Sequence, residues 1–292
     1  MEPSTAGVTL RGTTKLVGVI GCPVEHSLSP PMHNAAFAQL GMDWAYVAYR
    51  VEPEHVPDAI RAIVALGLVG LNVTIPHKQA AAGLVDELDD AARALQSVNT
   101  IHNLHGKLKG YSTDGPGFVR SVEETGATLP GKVVTLIGAG GSARAVAHAL
   151  VSAGVASLTI AARRPSKAEE VAAMVTEHTG RSVRVVDLHS DAAREAIRES
   201  DLLVDSTSVG MHPNVDVPPV IPADWLHPGQ LVCDLTYNPR ETTLLKAARS
   251  AGADTLDGTG MLVHQGAIAF EIWTGVQAPV ETMREALLEA LG

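Results

Sequence analysis

Aromatic side chains are scarce in this 292-residue chain, at 3% of the total, with three Phe, three Trp and four Tyr. A core this large must then be built from Ala, Val, Leu and Ile. That usage suits parallel strands buried beneath helices better than an antiparallel sandwich. Cysteine is nearly absent. Cys22 and Cys233 each lie in an apolar strand-like run, and both read as reduced core residues of a cytoplasmic protein. Positive charge is short, with 22 Lys and Arg against 32 Asp and Glu and a net charge of −10. Nucleic-acid binders carry basic faces, so nucleic acid is excluded as a partner. An anionic ligand must be held by local donors and not by a general field. Long apolar runs are missing too. The 18 residues from 145 to 162 carry no Asp, Glu, Lys or Arg, but they contain His148, Ser152 and Gly154 and change pattern midway. They read as helix, turn and strand, so no membrane span is expected. The first dozen residues have no basic stretch followed by an apolar one, so no signal peptide is expected.

What is present is alternation. KLVGVIGC (15–22) reads as a strand, followed by a polar loop with Ser27 and Ser29 and a helix to about Leu40. WAYVAYRV (44–51) is a second strand, a helix follows Pro53, and GLVGLNVTI (67–75) is a third strand cut off by Pro76. SVNTIHN and GKLKGYSTD read as short strands joined at His105-Gly106. A new unit starts near Asp114-Gly115. Its strands are expected in KVVTLIG and at 157–163, 183–188, 202–207 and 231–236, with helices between them. From Gly260 onward two helices and no strand are expected. Repeated βα units imply an α/β protein with a doubly wound sheet, and the length implies two domains.

Several segments carry candidate chemistry. Gly138-Ala139-Gly140-Gly141-Ser142 follows an apolar strand and opens a helix, the context that dinucleotide binding requires. Gly138 permits a tight turn, Gly140 lets the backbone approach a pyrophosphate, and the helix N-terminus offers amide donors. An ordinary glycine-rich turn is the plain alternative. Enzymes that use NAD place an acid at the tip of the next strand. Here the tip reads Ala162-Arg163-Arg164, with Lys167 close behind. Guanidinium forks suit a 2′-phosphate, which favours NADP(H), although a solvated basic turn fits the same residues. Ser27 and Ser29 can offer hydroxyls to a carboxylate or cap a helix. Asn72 and Thr74 share one strand face. Lys78 sits at a helix start, against the helix dipole. Asn99 and Asp114 add polar groups at loop positions. The histidines show no metal-ligand spacing and no metal site is expected. The acids at 86–90 read as a solvated helix start.

Together these segments resemble the shikimate dehydrogenase family. The motifs run in order: GCPVEHSLSPPMHN (21–34), LNVTIPHK (71–78), SVNT (97–100), STDGPG (112–117), GAGGSAR (138–144), DLTYNP (234–239) and DGTGMLVHQG (257–266). The resemblance implies a two-domain enzyme that interconverts 3-dehydroshikimate and shikimate with NADP(H). It implies Lys78 and Asp114 as the catalytic pair. Ser27, Ser29, Asn72, Thr74, Asn99, Tyr237 and Gln265 would hold the substrate. Gly138 through Ser142, Arg163, Leu235 and Gly258 would hold the cofactor. Where the family commonly carries Asn-Arg-Thr, this chain has Ala162-Arg163-Arg164, which removes an adenosine-side donor and adds Arg164 as a phosphate contact. The implied domains are 1–114 plus 259–292 for substrate and 115–258, Rossmann-like, for NADP. The rival readings are an NAD-preferring quinate/shikimate dehydrogenase and a non-catalytic NADP-binding regulator. Homodimer formation is left open.

Overall fold

The computed structural model describes residues 10–292. The chain divides into two compact units. One comprises the residues up to Thr113 with Gly266–Gly292, and the other is Asp114–Gln265.

The first unit is a six-stranded sheet flanked by helices. Strand β1 (Lys15–Gly21) runs parallel to β2 (Trp44–Arg50) and to β3 (Gly70–Val73). The remaining strands are β4 (Glu87–Leu88), β5 (Thr100–Leu104) and β6 (Lys107–Tyr111). Strand β5 pairs antiparallel with both β3 and β6, and β4 closes the edge, giving the order β2-β1-β3-β5-β6-β4. Helices α1 (Ser29–Gln39), α2 (Val56–Ala65), α3 (Lys78–Ala82) and α4 (Asp90–Leu95) follow β1, β2, β3 and β4. Ile20, Leu71, Val73 and Ile101 of the sheet pack on Ile60 and Ile63 of α2 and on Ala81 and Ala92.

Five of the ten aromatic residues, Phe37, Trp44, Tyr46, Phe270 and Trp273, are gathered elsewhere in this unit. Phe37 of α1 packs on Trp44 at 5.4 Å and on Phe270 at 5.3 Å between ring centroids. Trp273 donates through Nε1 to the carbonyl of Ile101 at 2.9 Å. Gly70 makes room for that indole, since a Cβ there would lie 2.3 Å from Trp273 Nε1.

One segment departs from the sequence reading. Glu87 and Leu88 pair with β6, and Asp89 caps α4 by accepting from the Ala92 amide at 2.7 Å. The acidic run is therefore a strand end plus a cap, not a continuous helix start. A two-residue strand is too short to show alternation in sequence.

The second unit opens with α5 (Asp114–Glu124) and holds β7 (Val133–Ile137), α6 (Gly141–Ser152), β8 (Ser157–Ala162), α7 (Pro165–Thr179), β9 (Arg184–Asp187), α8 (Asp191–Glu199) and β10 (Leu202–Asp205). It continues with β11 (Leu231–Asp234), α9 (Thr243–Ser250), β12 (Asp254–Leu256) and the start of α10 (Thr259–Thr274). Helix α11 (Val280–Leu291) belongs to the first unit. All pairs in this sheet are parallel, in the order β12-β11-β10-β7-β8-β9. Strand order reverses between β7 and β10, the place where doubly wound sheets open a crevice beyond their carboxyl ends. Strand β12 is a sixth strand that the sequence reading did not anticipate. The units divide inside α10, between Gln265 and Gly266, and at Asp114. The sequence reading put these joins at 258/259 and 114/115, at loop positions where hydrophobic patterning breaks off. Among the described residues no helix is long and apolar enough to cross a membrane.

Candidate active site

At the switch point the backbone leaves β7 through Gly138, whose φ of +103° is left-handed and favours glycine. A Cβ there would also lie 2.6 Å from Ser206 Oγ, so both conformation and space demand glycine. Ser206 donates from Oγ to the Ile137 carbonyl at 2.6 Å and pins the next loop against the turn. Gly140 takes an extended conformation as the N-cap of α6, and a Cβ on Gly140 or Gly141 would meet nothing within 4 Å. The first turn of α6 carries no acid, so its amides and dipole face open space with no carboxylate to compete for them.

A cleft of about 490 Å³ lies over this turn. Gly138, Ala139 and Gly140 form its floor, and Arg163, Arg164 and Lys167 form one wall. Arg163 and Arg164 are exposed, while Ala162 beneath them is buried. Lys167 is paired with Glu170 at 2.7 Å, which leaves the two guanidinium groups as the stronger anion donors. His189 lines the same cleft, and sequence reasoning does not find it. Gly141, Ser142, Leu235 and Gly258 do not line the cleft. Gly258 instead lets two backbones touch, since a Cβ would lie 2.1 Å from the Leu235 carbonyl oxygen.

The rim on the other side of the switch is shaped by a repeated Asp-x-Thr device. Asp205 ends β10, Asp234 ends β11, and Asp257 directly follows β12. Each carboxylate accepts the amide of the Thr two residues on, at 2.8, 2.9 and 2.9 Å. Asp205 and Asp234 are 1% exposed. Burial, reinforced by the charge of Asp234, pushes the Asp205 carboxyl up to about 7. Burial also raises Asp234, against the pull of its bonds from Thr242 and Thr236. Sequence gives no hint of this, because both Asp residues read as ordinary strand ends.

The polar residues of the first unit converge at the ends of β1 and β3. Ser27 Oγ accepts from the Ser29 amide at 3.3 Å, at the start of α1. Thr74, half-buried, lays its methyl group over Gly21, where a Cβ would lie 2.4 Å away. Lys78 opens α3, and its carbonyl accepts from Val98 at 2.9 Å, which brings the 98–99 backbone alongside. Asn99 is buried, with Oδ1 accepting from the Thr113 amide at 2.8 Å and Nδ2 donating to Thr113 Oγ1 at 2.9 Å. Asn72 is buried between Tyr46, Asn99 and Thr100. The structure thus gathers Ser27, Ser29, Asn72, Thr74, Lys78 and Asn99 in one unit. Asp114, Tyr237 and Gln265 belong to the other. There Gly117 of α5 packs on the backbone of Gln265, where a Cβ would lie 2.6 Å from the Gln265 nitrogen, so Asp114 and Gln265 stand on touching helices. Burial raises the Tyr237 phenol. Among the described residues, no group of His, Cys, Asp and Glu is arranged to hold a metal ion.

Residues 19–101 match the shikimate dehydrogenase substrate binding domain, and residues 121–225 match shikimate / quinate 5-dehydrogenase. Residues 258–288 match the shikimate 5′-dehydrogenase C-terminal domain. The chain is 49% identical over 288 residues to a shikimate dehydrogenase (NADP(+)) of Methanopyrus kandleri, covering 98% of this chain and 99% of that one. The chain belongs to the shikimate dehydrogenase family. Among solved members, a shikimate dehydrogenase in complex with NADP⁺ superposes with a TM-score of 0.93 at 42% identity, covering 98% of this chain and 99% of that one. A shikimate 5-dehydrogenase from Listeria monocytogenes, in complex with shikimate and NAD, gives 0.91 at 38% identity over 94% and 97% of the two chains. The family expected from the ordered motifs is therefore the family found, and so is its α/β fold with a Rossmann-like second unit.

Proposed function

We propose that this protein is an NADP-dependent oxidoreductase that reversibly reduces 3-dehydroshikimate to shikimate, a step toward the aromatic amino acids. The near-full-length match to shikimate dehydrogenases (NADP(+)) carries the reading. The nucleotide cleft supports the cofactor. The tip of β8 offers Arg163 and Arg164 and no carboxylate, so a 2′-phosphate finds two charge-assisted donors. Gly138 leaves no side chain on the floor of the cleft, and the first turn of α6 offers unopposed amides to a pyrophosphate. When bound, NADPH supplies the hydride for the carbonyl carbon.

The protein's own part is binding, orientation and the proton. Ser27 and Ser29 would take the substrate carboxylate, and Asn99, Asp114 and Gln265 the ring hydroxyls, with Asn72, Thr74 and Tyr237 as further contacts. Lys78 would give a proton to the developing alkoxide, or stabilise it electrostatically, with Asp114 as its partner. In the reverse direction the same group would take the proton back from the substrate hydroxyl. The two reduced thiols fit a cytoplasmic enzyme.

Absorbance at 340 nm with shikimate or quinate, each with NADP⁺ or NAD⁺, tests the reading. Turnover should be fastest with shikimate and NADP⁺. A preference for quinate with NAD⁺ would overturn it, and no turnover with any pair would favour a non-catalytic binder.

A further inference from the structure

Asn72 is 6% exposed, and its carboxamide has almost no unused hydrogen-bonding capacity. Nδ2 donates one hydrogen to the Asn99 carbonyl at 3.0 Å and the other to Thr100 Oγ1 at 2.9 Å. A backbone carbonyl can only accept, so the nitrogen must face Asn99 and Oδ1 must face the other way. There Oδ1 accepts from the Tyr46 phenol at 2.7 Å. One lone pair on Oδ1 is all that remains. A ligand group meeting this carboxamide must therefore bring a hydrogen. A hydroxyl satisfies it, and a carboxylate or ketone oxygen does not.

The Asn99 carbonyl sets this polarity, the phenol anchors the oxygen end, and the phenol is itself held. Tyr46 is 3% exposed on β2, and its ring stacks on His33 with centroids 4.4 Å apart and planes 6° from parallel. His33 is fully buried, with neither ring nitrogen bonded, in a nest of Phe37, Phe270 and Trp273. A ring without polar partners serves here as an aromatic floor. Ser29 lies beside the same phenol.

We propose that Tyr46 is a positioning residue for substrate. It pins the oxygen end of the Asn72 carboxamide, whose direction the Asn99 carbonyl sets, so that the one remaining lone pair is held in place for a ring hydroxyl. Tyr46 donates to Asn72 and lies beside Ser29, so it joins two residues assigned to the substrate. The inference rests on shikimate being the substrate.

Tyr46→Phe keeps the ring and its stack and removes one hydroxyl. The Asn72 oxygen then loses the donor that holds it in place, and the carboxamide meets the ligand hydroxyl less well aligned. KM for shikimate should rise about tenfold, the scale of one lost hydrogen bond, while kcat and KM for NADP⁺ stay within about threefold. In an Asn72→Ala background the same change should add less than about twofold, because the group it orients is gone. His33→Phe should leave KM for shikimate near that of wild type, while His33→Ala, which removes the floor, should raise it as Tyr46→Phe does. A Tyr46→Phe protein with a lower Tm but wild-type KM would overturn the proposal, as would a full additional effect in the Asn72→Ala background. If Tyr46→Phe does not fold, the His33 pair decides: equal KM for Phe and Ala overturns the proposal. A wild-type protein that does not turn over shikimate overturns the functional reading and this inference together, whereas an active wild type with an indifferent Tyr46→Phe overturns the inference alone.

Discussion

Asp205 and Asp234 stand opposite each other on adjacent parallel strands, the last residues of β10 and β11, with both carboxyls buried. Two carboxylates this close in a dry site do not both ionise readily, so the pair favours one proton. Thr207 alone bonds Asp205, through its amide and its hydroxyl, whereas Thr236 and Thr242 together hold Asp234. Asp205 is the better proton holder.

Asp205→Asn should therefore stabilise the protein at neutral and basic pH. The carboxyl rises from 3.8 in the unfolded chain to about 7 in the folded one. A raised acid contributes stability that is full below 3.8 and lost as pH climbs through about 7. At ~1.4 kcal/mol per unit, the variant should gain up to about 4 kcal/mol at pH 8 and almost nothing at pH 3. Urea unfolding of both proteins across that range checks it. A gain independent of pH would show that ionisation is not the cause.

His33 should act in the opposite direction. Burial lowers its ring from 6.5 to about 3, so the folded state keeps it neutral. Its contribution is full above 6.5 and declines as pH falls toward 3, by roughly 2–3 kcal/mol at pH 4.5. His33→Phe removes that decline and the two unbonded nitrogens. The stability difference between His33→Phe and wild type should widen steadily in favour of the variant below pH 6.5. Parallel pH curves would refute the assignment.

Arg163→Ala should separate the two cofactors. A guanidinium just past the end of β8, lining the cleft, would meet a 2′-phosphate and have little to meet in NAD. The Kd for NADP⁺ should weaken by about 1.5–3 kcal/mol, the scale of a charge-assisted bond, with NAD⁺ nearly unchanged. Titration calorimetry with each nucleotide measures both. Equal loss for the two would make the side chain structural.

Lys78→Ala tests the chemistry most directly. If Lys78 manages the proton, kcat should fall roughly 10²–10⁴-fold, with Kd for NADPH unchanged because the nucleotide cleft lies on the other unit. Far-UV circular dichroism should match wild type. A well-folded variant with near-normal kcat would sink the mechanism.

The sequence by itself determined the architecture and the chemical parts. Alternating apolar runs and breakers announce βα units, because burial against helices imposes its period on every strand of ordinary length. The glycine turn was legible because Gly138 must take φ > 0, and the missing acid after β8 because one position carries the choice of nucleotide. Strands β4 and β12 were not legible, since two or three residues carry no period and their pairing depends on distant neighbours. The tertiary structure alone decided how the polar parts are spent. Asn72 is left only as an acceptor because the Asn99 carbonyl, 27 residues later, and the Thr100 hydroxyl, 28 residues later, take both hydrogens of its Nδ2. Asp205 keeps a proton because the fold buries it and because β11 sets Asp234 beside it. Hydrogen bonding and desolvation are satisfied in space, between residues far apart in the chain, and spacing along one sequence does not record them.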